Sequence, residues 1–190
     1  SANMPNDGGV NNNPMFVLIN PTIKTHCEGI YRYVQKYYST NPVVMFRKNG
    51  KQEDFIKNYF ADYGKTTAGI PVNIKYVTLE DGFTEEDITE YLDSNRTTVC
   101  IAGSADENFG KKLCKALAAA NTNYPVTAVG MPNWDGISFK GEEYKNLEVA
   151  YGTPFYNSKA DRVSVGIISH FKSKLHARPT DMVFRGYEVT

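Results

Sequence analysis

The sequence predicts an α/β fold built on a parallel sheet, and three observations predict it. Short apolar runs alternate with longer segments of helical period about six times along the chain, which argues right-handed crossovers within one sheet. The runs "FVLI", "VVMF" and "VCIA" are apolar at every position instead of every second one, as strands covered on both faces are. The helical segments each carry one apolar stripe, so each has one face to bury against such a sheet.

The elements follow in order. Residues 1–13, "SANMPNDGGVNNN", offer almost nothing to bury and read as a flexible tail or linker. From Pro14 on, "MFVLIN", "PVVMF", "VNIKYVTL", "TTVCIAG", "VTAVGM" and "EVAYGTPF" are the strand candidates. Between them Ile23, Cys27, Ile30 and Val34 mark a first helix, and Phe55, Ile56, Tyr59, Phe60 and Tyr63 a second. A third opens at "TEED", where Thr84 caps and Asp87 reaches back, with Ile88, Tyr91 and Leu92 facing inward. Phe109, Leu113 and Leu117 define a fourth. Val163, Ile167, Phe171 and Leu175, at strict fours, predict one long helix ending before Pro179, and a last helix takes Asp181 as its cap. The expectation is a single domain over 14–190: an open, doubly wound, Rossmann- or flavodoxin-like sheet of about six parallel strands with helices on both faces.

Composition narrows the function. Twenty-one basic and twenty-one acidic residues cancel, so no strong field concentrates nucleic acid, and no nucleic-acid partner is expected. No apolar run approaches the ~20 residues of a membrane span, and no basic-then-apolar leader opens the chain. The three cysteines, Cys27, Cys100 and Cys114, match no zinc or redox spacing and read as small core residues.

The stretch "VCIAGSADENFGKKL" looks at first like a phosphate loop. A P-loop needs G-x-x-x-x-G-K-[ST]; here Gly103 and Gly110 enclose six residues, and Lys111 is followed by Lys112. Asp106 and Glu107 would also occupy the helix end that a phosphate needs. Ser104 to Glu107 instead spells S-x-x-E, a capping box.

Catalytic groupings are thin. His26 lies early in the first helix, while His170 and His176 are six apart and do not share a face. No metal spacing, nucleophile elbow or carboxylate pair appears, and Glu85, Glu86 and Asp87 read as a solvated helix start. The chain is expected to be no enzyme and to need no cofactor. In an open parallel sheet, ligands sit beyond the carboxyl ends of the strands. Asn20 and Thr22, Arg47 and Lys48, Glu80 and Asp81, Ser104 and Asp106, Asn133 and Trp134, and Tyr151, Phe155 and Tyr156 fall there. Such a rim of rings and polar groups suits a small organic ligand, although turns and caps also collect polar residues at strand ends. Trp134, the only tryptophan, follows "GMPN" in a loop and is expected to be exposed. The thirteen tyrosines, four of them crowded on the first helix, suit the core edge or a partner surface.

The order "NPT", helix, "PVVMF", helix, "LEDGFTEEDITEYLDSNRTTVCIAGS", "YPVTAVGMPNW" resembles the second lobe of type 1 periplasmic binding proteins of the leucine/isoleucine/valine-binding class. The ending "FKSKLHARPTDMVFRGYEV" is similar to that family's long helix with spaced aromatics, a proline, then a short helix with glycine and an aromatic; Phe171, Leu175, Pro179, Gly186 and Tyr187 occupy those places. The resemblance implies one of two lobes that close on a small, amino-acid-like solute, in the periplasm or cell envelope. On that basis the ligand-binding candidates are Asn20, Thr22, Arg47, Ser104, Asn133, Trp134 and Tyr151. After "PVVMF" this chain reads "RKNGKQED", where the family often has acidic residues and a Tyr-Gly pair. That keeps a second expectation open: an envelope module that docks a protein or peptidoglycan over a vestigial cleft.

Overall fold

The computed structural model describes residues 21–153 and 155–189. The tail, the "MFVLIN" strand candidate and Asn20 lie outside the described residues. The chain divides after Pro154 into two compact units.

In the first unit five strands form one sheet in the order β2-β1-β3-β4-β5, and all four neighbouring pairs are parallel. They are β1 (Val43–Arg47), β2 (Ile74–Thr78), β3 (Thr98–Ala102), β4 (Val126–Gly130) and β5 (Glu148–Tyr151). Each coincides with one of the apolar runs picked out above. β3 and β4 are buried along their whole length and β1 nearly so, whereas the edge strands β2 and β5 stay partly exposed. This explains why only the central strands read as continuously apolar.

Alternate side chains of the central strands enter two separate cores. Val43, Met45, Val99, Ile101 and Val129 meet Cys27, Ile30 and Val34 of α1 (Ile23–Tyr38) and Ile56 and Phe60 of α2 (Lys51–Thr66). Val44, Phe46, Cys100, Ala102 and Ala128 meet Ile88 of α3 (Glu86–Thr89) and Phe109, Leu113 and Leu117 of α4 (Glu107–Ala120). Helices therefore cover both faces, the doubly wound arrangement that alternating β and α segments predict. Phe55 departs from its expected stripe and is exposed, because Glu53, Ile56 and Phe60 take the inward positions of α2 instead.

Two capping expectations change in detail. Ser104 does not cap α4; Asp106 does, its carboxylate accepting from the backbone N–H groups of Asn108 and Phe109 at 2.8 and 3.2 Å. A two-residue shift suffices, because Asp is as good an N-cap as Ser and lies nearer the helix. At "TEED" the backbone N–H of Thr84 does donate to Asp87, at 2.7 Å, ahead of the single turn of α3.

The second unit holds α5 (Arg162–His170), a π turn (Phe171–Leu175) and α6 (Asp181–Val189). The expected long helix is thus interrupted at Phe171, and Val163 and Leu175 are exposed instead of sharing a buried stripe. Strict fours drift around a 3.6-residue helix, and a π turn shifts the register further. The segment ends at His176, whose left-handed φ of 50° halts helical propagation. Among the described residues no helix is long and apolar enough to cross a membrane.

Candidate functional site

Because all strands run one way, their carboxyl ends share one edge, and the candidates there fall into two groups. Around β1 and β3 the polar side chains satisfy one another. Arg47 pairs with Asp54 at 2.5 Å, and Lys48 with Asp106 at 2.7 Å. The Ser104 hydroxyl donates to Glu53 Oε1 at 2.7 Å and accepts from the Asp106 backbone N–H at 3.1 Å; both Ser104 and Glu53 are buried. The Lys48 hydrogen bond holds the Asp106 carboxyl below the usual carboxylate range, and the same bond raises Lys48. Opposite charges here are spent on each other. This end of the sheet is a structural clasp tying α2 and α4 to the strand ends, with Arg47 and Ser104 both engaged in it.

Trp134 corrects the expectation of exposure, for it is fully buried. Its indole fills a slot between α4 and β4 that exists because Gly110 and Gly130 lack side chains; a Cβ at either position would overlap the ring. Phe139 packs against it with ring centroids 5.6 Å apart. A residue that looks like a loop aromatic is thus a core residue, seated by two glycines on elements adjoining its short helical turn 132–136. The neighbouring Asn133 has both side-chain polar atoms buried and without a hydrogen-bond partner among the described residues.

The second group surrounds an open trench of about 550 Å³ between α1 and the β4–β5 edge. From α1 come Thr25, His26, Gly29, Ile30 and Tyr33; from the strands come Val129 and Ala150, with Gly152 and Thr153 beyond, while Val149 and Tyr151 border the trench with their side chains turned to the α4 core and to Phe139. Thr22 caps α1, with its hydroxyl 3.4 Å from the Thr25 N–H and 3.2 Å from the Thr25 hydroxyl, so it sits at the trench's end. The loop of Asn133 comes close as well: a Cβ at Gly152 would lie 3.7 Å from His26 Nδ1 and 3.9 Å from Pro132 Cγ. Of the seven candidates, Tyr151 borders the trench and Thr22 caps the helix that forms its wall, while Asn133 is buried in the neighbouring turn. Arg47 and Ser104 stand at strands β1 and β3, about 14 Å from β5 in the case of β1, given the usual strand spacing.

His26 is the trench residue that sequence reasoning passed over. It is only 8% exposed, and its Nε2 is buried with no hydrogen-bond partner among the described residues. Burial lowers its pKa below the ordinary 6.5, which favours the neutral ring. The signal was available, since His26 lies three residues after Ile23 and four before Ile30, on the apolar stripe of α1. Glu53 was equally legible, three residues before Ile56 and seven before Phe60. No charged side chain lines the trench. Among the described residues no group of three or more His, Cys, Asp or Glu could hold a metal.

Compared with protein-family models the chain matches none, and no curated protein matches it.

Proposed function

We propose that this chain is a non-enzymatic binding lobe for a small organic solute, of the type 1 periplasmic-binding-protein kind, working in the cell envelope. The observation that carries the reading is the trench, a concavity of small-molecule size built from one helix and the edge of a parallel sheet. Its lining combines apolar surface from Ile30, Val129 and Ala150 with the hydroxyl of Thr25 and the imidazole of His26, the mixture that holds a solute and orients it. The polar residues around β1 and β3 are engaged with one another, which favours a scaffold over a catalytic role for them. As an open concavity on one lobe, the trench binds weakly by itself, since only a closing partner surface would exclude water from the solute.

The test is ligand-observed NMR on the chain with a panel of amino acids, their blocked derivatives and muropeptides. Binding that is lost on Gly29→Arg, a trench position where an added side chain meets nothing within 4 Å, with the fold intact by circular dichroism, supports the reading. A panel without a single binder overturns it.

The exposed apolar residues of the second unit favour a second reading, that of an interaction module. Tyr156, Met182, Tyr187 and Leu175 are all more than half exposed. Retention of an envelope protein or peptidoglycan by the chain, lost on Met182→Ser and Tyr187→Ser but kept in Gly29→Arg, would favour this reading over the first.

A further inference from the structure

A binding trench declares the charge of its ligand by the charges it lacks. Among the described residues this one presents apolar, aromatic and hydroxyl groups and one imidazole, with no lysine, arginine, aspartate or glutamate in its lining; Glu148, at the start of β5, accepts from the Thr127 hydroxyl at 3.1 Å. The groups facing His26 can be taken element by element. On α1, Thr25 and Tyr33 share the trench, while the flanking Glu28 turns away to pair with Arg32 at 2.6 Å and Lys24 lines a separate groove with Tyr59 and Asp62. From β4 comes Val129, from β5 and the residues after it Tyr151, Gly152 and Thr153, and from the 132–136 turn Pro132 approaches across Gly152. An ammonium or carboxylate seated here would surrender its water without gaining a counter-charge, which is the most costly kind of burial. A neutral amide or hydroxyl meets no such penalty, and His26, whose buried Nε2 has no hydrogen-bond partner among the described residues, stands in the trench wall.

On the reading of the trench as a solute site, we propose that it selects uncharged solutes. A neutral hydrogen-bonding group seats beside His26, and an apolar body lies along Ile30, Val129 and Ala150. Free amino acids and simple carboxylates, which carry full charges, are discriminated against.

The two kinds of ligand leave opposite pH signatures. A neutral solute strips water from the imidazole and disfavours its charged form, so binding releases a proton and weakens as the pH falls through the His26 titration. A carboxylate would favour the imidazolium and bind more tightly on acidification. The experiment pairs leucine with N-acetyl-leucinamide, phenylalanine with N-acetyl-phenylalaninamide, and isovalerate with isovaleramide, titrated into the chain by NMR between pH 5.5 and 7.5. The expected result is that a neutral member binds about tenfold or more tightly than its charged twin at pH 7.5. Its affinity falls toward pH 5.5, and the midpoint of the His26 Hε1 resonance moves down in the complex. His26→Gln retains binding but loses the acid limb; because the Hε1 midpoint is read in the unsubstituted chain, the proposal does not depend on that variant folding. A charged member that binds as well as its twin, or an affinity that rises on acidification, overturns the proposal and leaves solute binding standing. Binding of amino acids or muropeptides in the trench with no binding of the neutral probes does the same. If nothing binds at all, both readings fall.

Discussion

Ser104 and Glu53, on different elements of the first unit, share a buried hydrogen bond of 2.7 Å. That bond decides how the carboxyl edge of the sheet is used. It joins the end of β3 to the first turn of α2 through a serine whose place in the chain marks it for ligand binding. Ser104→Ala leaves the buried Glu53 side chain without this donor and frees the Asp106 N–H from its acceptor. The expected loss is about 1–3 kcal/mol of stability in urea denaturation, with the proposed solute binding unchanged.

The Asp106 carboxyl, held low chiefly by Lys48 and then by the backbone N–H groups of α4, links stability to acid. A carboxylate whose folded pKa is depressed stabilises the fold above its unfolded value, near 3.8, and that contribution is lost as pH falls through the lowered folded value. Asp106→Asn keeps a cap acceptor and flattens the acid limb of stability below about pH 4. Asp106→Ala also loses the cap, an additional cost of about 0.5–2 kcal/mol at neutral pH. Denaturation midpoints measured from pH 2.5 to 7 separate the two effects.

The seat of Trp134 is set by what Gly110 and Gly130 lack. Gly130→Ala drives a methyl into the indole and is expected to cost about 1–3 kcal/mol, with a red shift of tryptophan emission as the ring is displaced toward water. Adding Trp134→Leu to Gly130→Ala recovers part of the loss, because the smaller side chain leaves room for the methyl. Equal destabilisation by Gly130→Ala with and without the tryptophan would contradict this account of the slot.

The three cysteines are buried, and burial pushes the thiols of Cys27 and Cys114 up to about 12 and that of Cys100 up as well. The thiolate is the reactive form, so the native chain is expected to resist iodoacetamide at pH 8 and to take up three adducts only after denaturation, read by intact mass.

Much of this was legible in the sequence, for reasons that differ by residue. The central strands were plain because a strand covered on both faces leaves no position for a polar side chain, and "VVMF" and "VCIA" have none. The stripe Cys27, Ile30, Val34 was plain because one buried helix face repeats every three or four residues. The polar rim was harder. Asp106 and Ser104 are both good caps, and the sequence offers no reason to prefer the box over the single residue. Trp134 misled because a tryptophan after a Pro-Asn turn looks exposed, while the slot that hides it is made by glycines that contribute no side chain to notice. The break in the helix at Phe171 was invisible because a π turn keeps the same residue types as the helix it interrupts. The trench joins α1 to β5, more than a hundred residues apart in sequence, and such a pairing follows only once the strand order is known.

The most direct measurement is methyl NMR shift mapping of the whole chain with N-acetyl-leucinamide as titrant. Perturbations confined to Ile30, Val129 and Ala150, with His26 and Thr25 moving alongside them, are the predicted result. Shifts centred on Met45 and Ile101, beside the Arg47 and Ser104 clasp, with the trench methyls unmoved, would contradict it.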